Sequence, residues 1–168
     1  MSRWFNQIVL SVALLVGVVG GWSLRDGAGQ YVSTSRAFAN VTVEYQQGSF
    51  AWLAPDGRRA HLSFVVTNGS ARAATLESLD IHLLFGEDFA GTNYDPFVPV
   101  AVPVGESRLV DLEILVTSLS KLPLAGTSEL AVRGNATFRF AGIQRARGLD
   151  VRGEIGVVPL PSGFGGGR

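Results

Sequence analysis

The chain has 168 residues with 14 basic and 14 acidic side chains, so its formal net charge is zero. This balance supplies no positive surface for a phosphate backbone, and nucleic-acid binding is not expected. The sequence has no cysteine and only two histidines, His61 and His82. Disulfides, thiolate chemistry and a His-only metal site are therefore excluded, and no cofactor, metal or catalytic residue is expected.

An uncharged run, IVLSVALLVGVVGGWSL, extends over residues 8–24. Counted from Trp4, it has about twenty residues, which is the length that crosses the hydrocarbon core of a bilayer. Trp4 and Trp22 lie at its two ends, where indole rings favour the membrane interfaces. The sequence therefore predicts a membrane anchor over residues 1–24, in contact with the lipid bilayer through residues 4–24.

The charges beside this run predict its orientation. Arg3 and the terminal amine precede it, whereas Arg25 is followed at once by Asp26, so the amino terminus is expected inside. The protein is then a single-pass membrane protein with its domain on the extracytoplasmic side. Cleavage of residues 1–24 as a signal segment, giving a secreted protein, is the alternative, because small residues lie near the end of the run at 20 and 21 and beyond it at 28 and 29.

The remainder divides into three parts. Residues 25–37 are small and polar without periodicity, which indicates a linker. From 38 to 160, short runs of Val, Ile, Leu, Phe and Thr alternate with Gly, Pro, Asn and Asp clusters, as is typical of an all-β sandwich. The Gly-rich tail at 161–168 is expected to be disordered.

The β-runs show one buried and one exposed face. Residues 76–85 place Leu79, Ile81 and Leu83 on one face, and 60–68 and 107–117 alternate in the same way. The run at 96–104 carries three prolines, so it is expected at a sheet edge or crossing between sheets. With strands at 38–46, 128–140 and 149–158, joined across 142–148, the expected fold is a seven-stranded antiparallel β-sandwich.

Three stretches carry a family likeness: VTNGSARAATLESLDIHLLFGEDFAG, PVAVPVGESRLVDLEILV and ELAVRGNATFRF. In the order of their turns and strands they resemble the late-embryogenesis-abundant (LEA) proteins of the water-stress and hypersensitive-response type, the WHy domain. Asn68 matches the family's turn asparagine, and Leu79–Phe85 match its second strand. Where the family often has Asn-Pro-Asn, this chain has Asn68, Gly69 and Ser70, and Gly69 is expected to form the turn with a positive φ.

The resemblance implies a fibronectin-III-like sandwich, tethered by one amino-terminal span, linked to desiccation or other stress and without enzymatic activity. Stress tolerance or envelope integrity is therefore the first functional hypothesis. The second is a structural or adaptor subunit that binds another envelope protein or a lipid, because the proline-bearing run at 96–104 suits strand addition. An exported enzyme is not expected, since no nucleophile signature is present.

Four groups of polar residues are candidates for chemistry. His82 shares a strand face with Asp80, which could orient its imidazole. Residues 87–95 offer oxygen ligands of the kind that Ca²⁺ accepts, namely Glu87, Asp88, Asn93 and Asp95. Four arginines could contact anionic lipid or a polyanionic wall, namely Arg139, Arg145, Arg147 and Arg152. Asp111 and Glu113 are expected to pair with Arg133 and Arg139 across neighbouring strands.

Three asparagines begin N-x-S/T sequons: Asn40, Asn68 and Asn135. In an exported domain such sequons are acceptors for N-glycosylation, provided that the host has the machinery. Polar residues at strand edges produce the same tripeptide without any modification. The three residues are therefore candidate glycosylation sites.

Overall fold

The structure, a computed structural model, describes residues 2–53, 58–93, 96–118 and 128–155, with only the backbone at 2–15, 17, 128 and 153–155. The chain divides into two compact units, Met1–Arg36 and Ala37–Arg168. The predicted tail at 161–168 lies outside the described residues.

In the described residues one α-helix, α1 (Ser2–Ala39), precedes the strands. It runs through residues 25–37, where the sequence predicts an irregular linker. Extending an existing helix costs far less than starting one, and no proline interrupts the chain before Asn40. The helix ends in a turn in which the Asn40 N–H donates to the carbonyl of Ala37 over 3.1 Å.

Within the described part of the chain, no helix combines the length and the apolarity needed to cross a membrane. The span predicted at residues 4–24 therefore receives no support from the structure. The side chains of residues 4–15, which make up half of that prediction, lie outside the description.

The rest of the described chain is all-β and antiparallel, which confirms this part of the predicted fold class. Nine strands form one hydrogen-bonded sheet in the order β1-β3-β7-β5-β4-β8-β9, with β2 beside β3 and β6 beside β4. Their bounds are β1 (Val41–Tyr45), β2 (Ala51–Trp52), β3 (Arg59–Asn68), β4 (Ala74–Phe85), β5 (Asp88–Asn93), β6 (Val100–Val102), β7 (Ser107–Val116), β8 (Ser128–Phe140) and β9 (Ile143–Ile155).

The expectation of seven strands in two separate sheets is corrected by β5. This strand pairs with β4 on one side and with β7 on the other, where its residues Gly91–Asn93 lie opposite Ile114–Val116. It therefore joins the two halves into one sheet. The sheet nearly closes on itself, because Nη1 of Arg147 in β9 donates to the carbonyl of Val41 in β1 over 2.6 Å.

Alternation identified the buried faces correctly. Leu79, Ile81 and Leu83 of β4 are at most 1% exposed, and the predicted apolar faces of β3 and β7 are buried as well. The largest fully buried side chains are Phe64, Phe138 and Phe140. Strands with one buried face require this period of two, so the core could be read from the sequence.

The last hairpin is tighter than expected. Instead of a connection over 142–148, β8 and β9 are joined by Ala141 and Gly142, with φ of 45° and 86°. Two successive positive φ values are typical of the type I′ turn, whose twist matches that of the flanking strands. Residues 143–148 therefore continue β9, with Ile143 opposite Phe140.

A buried carboxamide organises the turn after β3. Asn68 is fully buried, and its Nδ2 donates to the carbonyls of Arg72 over 2.8 Å and Val102 over 2.9 Å. Its Oδ1 accepts from the backbone N–H of Ser70 over 3.1 Å and from the Ser70 hydroxyl over 2.7 Å. The side chain thus uses both of its amide hydrogens and accepts twice, as burial of a polar group requires.

The backbone beside this carboxamide extends the network to two further segments. The Asn68 N–H donates to the carbonyl of Glu106, and the Asn68 carbonyl accepts from Gly105. The Gly69 N–H donates to the carbonyl of Asn40 over 2.9 Å, and Gly69 does not have the positive φ that was expected. A proline at this position would lack that donor, so glycine suits the turn because it supplies this N–H. These bonds together are called the Asn68 network below.

Replacing Asn68 by alanine is expected to lower the free energy of unfolding by about 2–4 kcal/mol, because the carbonyl of Val102 and the hydroxyl of Ser70 lose buried partners. Urea denaturation of the full-length chain measures this change. Asn135→Ala, at an exposed position of β8, is the matched control and should change the same quantity by less than about 0.5 kcal/mol. Equal effects of the two variants would contradict the assigned role of the network.

Candidate binding groove

A groove of about 380 Å³ lies between β7 and the segment that leads into β6. Residues 109–113 of β7 form one wall, and Pro96–Val98 with Val100 form the other. The remaining lining residues are Leu53, His61 and Asn93.

Proline accounts for the groove. Pro96 and Pro99 lack an N–H, so the run at 96–104 cannot pair along its whole length, and its pairing with β4 is confined to Val100–Val102. β5 pairs with β7 only from Ile114 onwards. In the described residues no strand covers Ser107–Glu113 on the side away from β3, and this stretch is called the open edge of β7.

The hydrogen bonds at the end of β7 show which residues point toward the groove. The Val116 N–H donates to the carbonyl of Arg58, just before β3, over 2.8 Å. The Thr117 N–H donates to the opposite side, to the carbonyl of Ala90 in β5, over 2.9 Å. Successive residues of a strand direct their backbone groups to opposite sides. Leu109 and Asp111, with the parity of Thr117, therefore direct their N–H and C=O groups away from β3.

A small polar cluster lies on the outer face of β3 and β7. Oδ1 of Asp111 accepts from the Ser63 hydroxyl over 2.6 Å and lies 3.2 Å from Nε2 of His61. Nδ1 of His61 contacts the carbonyl of Ser49 over 3.3 Å. Both imidazole nitrogens therefore face structural partners, and the ring lies at the base of the groove.

The pairing expected for the acidic residues of β7 is wrong in its partners. Glu113 forms an ion pair with Arg59, because β7 lies beside β3 and not beside β8. Arg133 instead approaches Glu87 at 3.5 Å and Asp150 at 3.8 Å.

The arginines predicted for polyanion contact have partners within the structure. Arg139 binds Glu77, and the hydrogen bond to this carboxylate, with the charge attraction, raises the pKa of the Arg139 guanidinium. Arg152 approaches Glu129 at 3.5 Å, and Arg147 binds the carbonyl of Val41. The hairpin of β8 and β9 therefore offers fewer available cations than its sequence indicates.

His82 lies outside the polar cluster. It is exposed, and its ring meets Phe89 edge-on with the centroids 5.7 Å apart. Asp80, predicted to orient this imidazole, accepts instead from the Ser78 hydroxyl over 3.2 Å. The two histidines are thus held in separate environments.

The candidate Ca²⁺ ligands are likewise dispersed. Glu87 approaches Arg133, while Oδ1 of Asn93 accepts from the Ile81 N–H over 3.0 Å. Asp95 lies outside the described residues. Among the residues that are described, no group of three or more acidic, histidine or cysteine side chains is arranged to hold a metal ion.

The three sequon asparagines have different environments. Asn40 and Asn135 are exposed, whereas Asn68 is fully buried with both amide hydrogens donated. A glycan replaces one of these hydrogens, so modification of Asn68 would break a bond of the Asn68 network.

If the chain is glycosylated in its host, the folded protein is expected to carry glycans at Asn40 and Asn135 and none at Asn68. Glycopeptide mass spectrometry of the full-length protein measures the occupancy of each sequon. Asn40→Gln and Asn135→Gln should each remove one glycan without loss of folded protein. A glycan on Asn68 in natively folded material would contradict the burial of this side chain.

No family model matches the chain, and no curated protein matches it. Solved structures do show similarity. A protein proposed to be late embryogenesis abundant is 15% identical, with 94% of this chain and 92% of that chain covered at a TM-score of 0.46. A protein from Archaeoglobus fulgidus is 8% identical, with 71% and 97% covered at a TM-score of 0.45.

The periplasmic chaperone SfaE is also similar, at 14% identity and a TM-score of 0.33, with 70% of this chain and 60% of that chain covered. The chain is thus similar in fold to an LEA-type protein over most of its length. Membership of the WHy family stays a prediction from the sequence.

Proposed function

We propose that this protein is a non-catalytic β-domain, held at a membrane by its amino-terminal segment, that acts outside the cytoplasm in stress tolerance or envelope integrity. One observation carries the non-catalytic part. The groups best suited to chemistry serve as structural contacts, since Asp111 holds Ser63 and His61, and Asn68 joins three segments. The Ser63 hydroxyl and both ring nitrogens of His61 thereby face partners within the protein, whereas acid–base catalysis needs such a group directed at substrate.

Rescue of a deletion strain tests this proposal. Cells lacking the protein are expected to survive drying or osmotic shock less well, and the His61→Gln/His82→Ala double variant should restore survival as fully as the wild type. Asn68→Ala is the contrasting variant and should restore less, because it lowers the stability of the domain. Failure of the double histidine variant at normal protein level would contradict a non-catalytic role.

The support for membrane anchoring comes from the amino-terminal sequence and from exposure. The run at 8–24 is uncharged, and five of its apolar side chains are 57–76% exposed: Val16, Val18, Val19, Trp22 and Leu24. At about 100° per residue these positions surround the helix on all sides. An apolar surface all around a helix is typical of a segment that contacts lipid. Arg3 favours an amino terminus inside the cell.

A charge within the run is expected to weaken membrane association. Val16→Arg places a cation near the middle of the segment at a cost of about 3 kcal/mol, which should lower the membrane-bound fraction by up to about a hundredfold. Val32→Arg, at an exposed position outside the run, is the matched control and should stay membrane-bound. Alkaline extraction of membranes from cells that express each full-length variant measures the bound fraction. Complete extraction of the wild type would overturn the anchor.

The second candidate function is a structural or adaptor subunit that binds another envelope protein. The open edge of β7 favours it, because unpaired strand edges accept an added strand. Affinity isolation of the tagged full-length chain in mild detergent distinguishes the two functions. A stoichiometric partner supports the adaptor, and an isolated chain supports a self-sufficient protective domain.

A further inference from the structure

We propose that the groove beside β7 binds an extended segment of another protein, which adds to β7 as a strand and places a basic side chain opposite Asp111. This inference deepens the adaptor function and rests on it. It specifies the surface, the backbone conformation and the charge of the partner.

The first argument is the backbone of the open edge. Leu109 and Asp111 direct their N–H and C=O groups into the groove, where no described strand pairs with them. The opposite wall contains Pro96, which has no N–H to donate. An extended chain is the ligand that satisfies such a row of alternating donors and acceptors.

The second argument is the distribution of exposed apolar side chains. After residue 40, the large apolar side chains exposed in the described residues are Leu53, Phe89, Val98, Val104 and Leu109. Three of the five line this groove, at 51% for Leu53, 76% for Val98 and 58% for Leu109. Their clustering gives the groove an apolar rim, which an inserted strand would cover with its own apolar residues.

The third argument is charge. Glu113 is paired with Arg59, whereas the Asp111 side chain is 59% exposed and, among the described residues, contacts the Ser63 hydroxyl and the His61 ring. The groove therefore presents an accessible carboxylate among apolar side chains. A Lys or Arg on the added strand is its electrostatic complement.

The same charge disfavours a second copy of this chain as the occupant. When two β7 strands pair in an antiparallel manner about their open edges, Asp111 of one copy meets Ser107, Leu109, Asp111 or Glu113 of the other, according to the register. None of these residues is a cation, and like charges placed opposite each other are destabilising. A basic segment of a different protein lacks this penalty.

A designed peptide tests the groove directly. The probe is the extended peptide Thr-Val-Thr-Lys-Thr-Val-Thr, which has apolar and basic residues on one face, and it is added to the isotopically labelled full-length chain in mild detergent. Hydrogen exchange followed by NMR should show the amides of Leu109 and Asp111 becoming protected, while the already paired amides of Val110 and Leu112 change little.

Matched variants show which residues of the groove contribute to peptide affinity. Leu109→Lys should weaken peptide binding about tenfold, whereas Val104→Lys, at a similar exposure of 53% but outside the groove, should leave it unchanged. Asp111→Asn keeps the hydrogen-bond acceptor and should weaken binding about threefold. A peptide with glutamate in place of lysine should bind Asp111→Lys better than it binds the wild type.

The outcomes separate this inference from the adaptor function. If a stoichiometric partner is isolated but neither it nor the peptide protects the amides of Leu109 and Asp111, the groove proposal is overturned and the adaptor function stands. If the peptide protects these amides with the expected variant pattern but no partner is isolated, the groove binds basic strands and the adaptor function fails. Protection that rises with protein concentration in the absence of peptide would identify a second copy as the occupant and overturn the proposal.

Discussion

The fold depends on burying one carboxamide with every polar atom satisfied. Asn68 lies at the end of β3, where its side chain bonds to Val102 of β6 and its backbone bonds to the turn before β7, while the neighbouring Gly69 N–H donates to Asn40. A buried carbonyl without a donor costs about 1–3 kcal/mol, so these bonds act mainly by preventing that cost at several carbonyls at once. The paired residues of β3 with β1 and with β7 begin beside Asn68. The register of β3 with β7 places Ser63 opposite Asp111 and so determines the geometry of the polar cluster.

The groove and the network have a common origin in the strand that proline shortens. β6 pairs with β4 over only three residues, its Val102 carbonyl accepts from Asn68, and the described chain before it forms no pairs with the open edge of β7. Elsewhere the sheet protects its margins, as where Arg147 of β9 binds the backbone of β1. Edges that are bridged in this way do not recruit other chains, so the open stretch at Ser107–Glu113 stands out among the described strands.

The sequence was most informative where burial imposes a period of two. The apolar faces of β3, β4 and β7 were predicted because each strand has one side in the core. β5 was missed because Asp88–Asn93 has no such alternation and is recruited by pairing with β4 and β7. The partners of Glu113 and Arg133 were missed for a related reason, since the order of strands in a sheet is a long-range property that no local pattern encodes. The prolines at 96 and 99 did indicate an edge, but the structure places the unpaired groups on the strand opposite them.

The geometry around Asn68 also bears on chemical ageing. An asparagine followed by glycine is prone to deamidate, because the glycine nitrogen attacks the side-chain carbonyl carbon and closes a succinimide ring. Here the Gly69 N–H is donated to Asn40, and both ends of the Asn68 carboxamide are held by Ser70, Arg72 and Val102. The attacking and attacked groups are thus kept out of the ring-closing geometry for as long as the domain stays folded. Unfolding, which releases these bonds, would therefore be the step that exposes this labile dipeptide to deamidation.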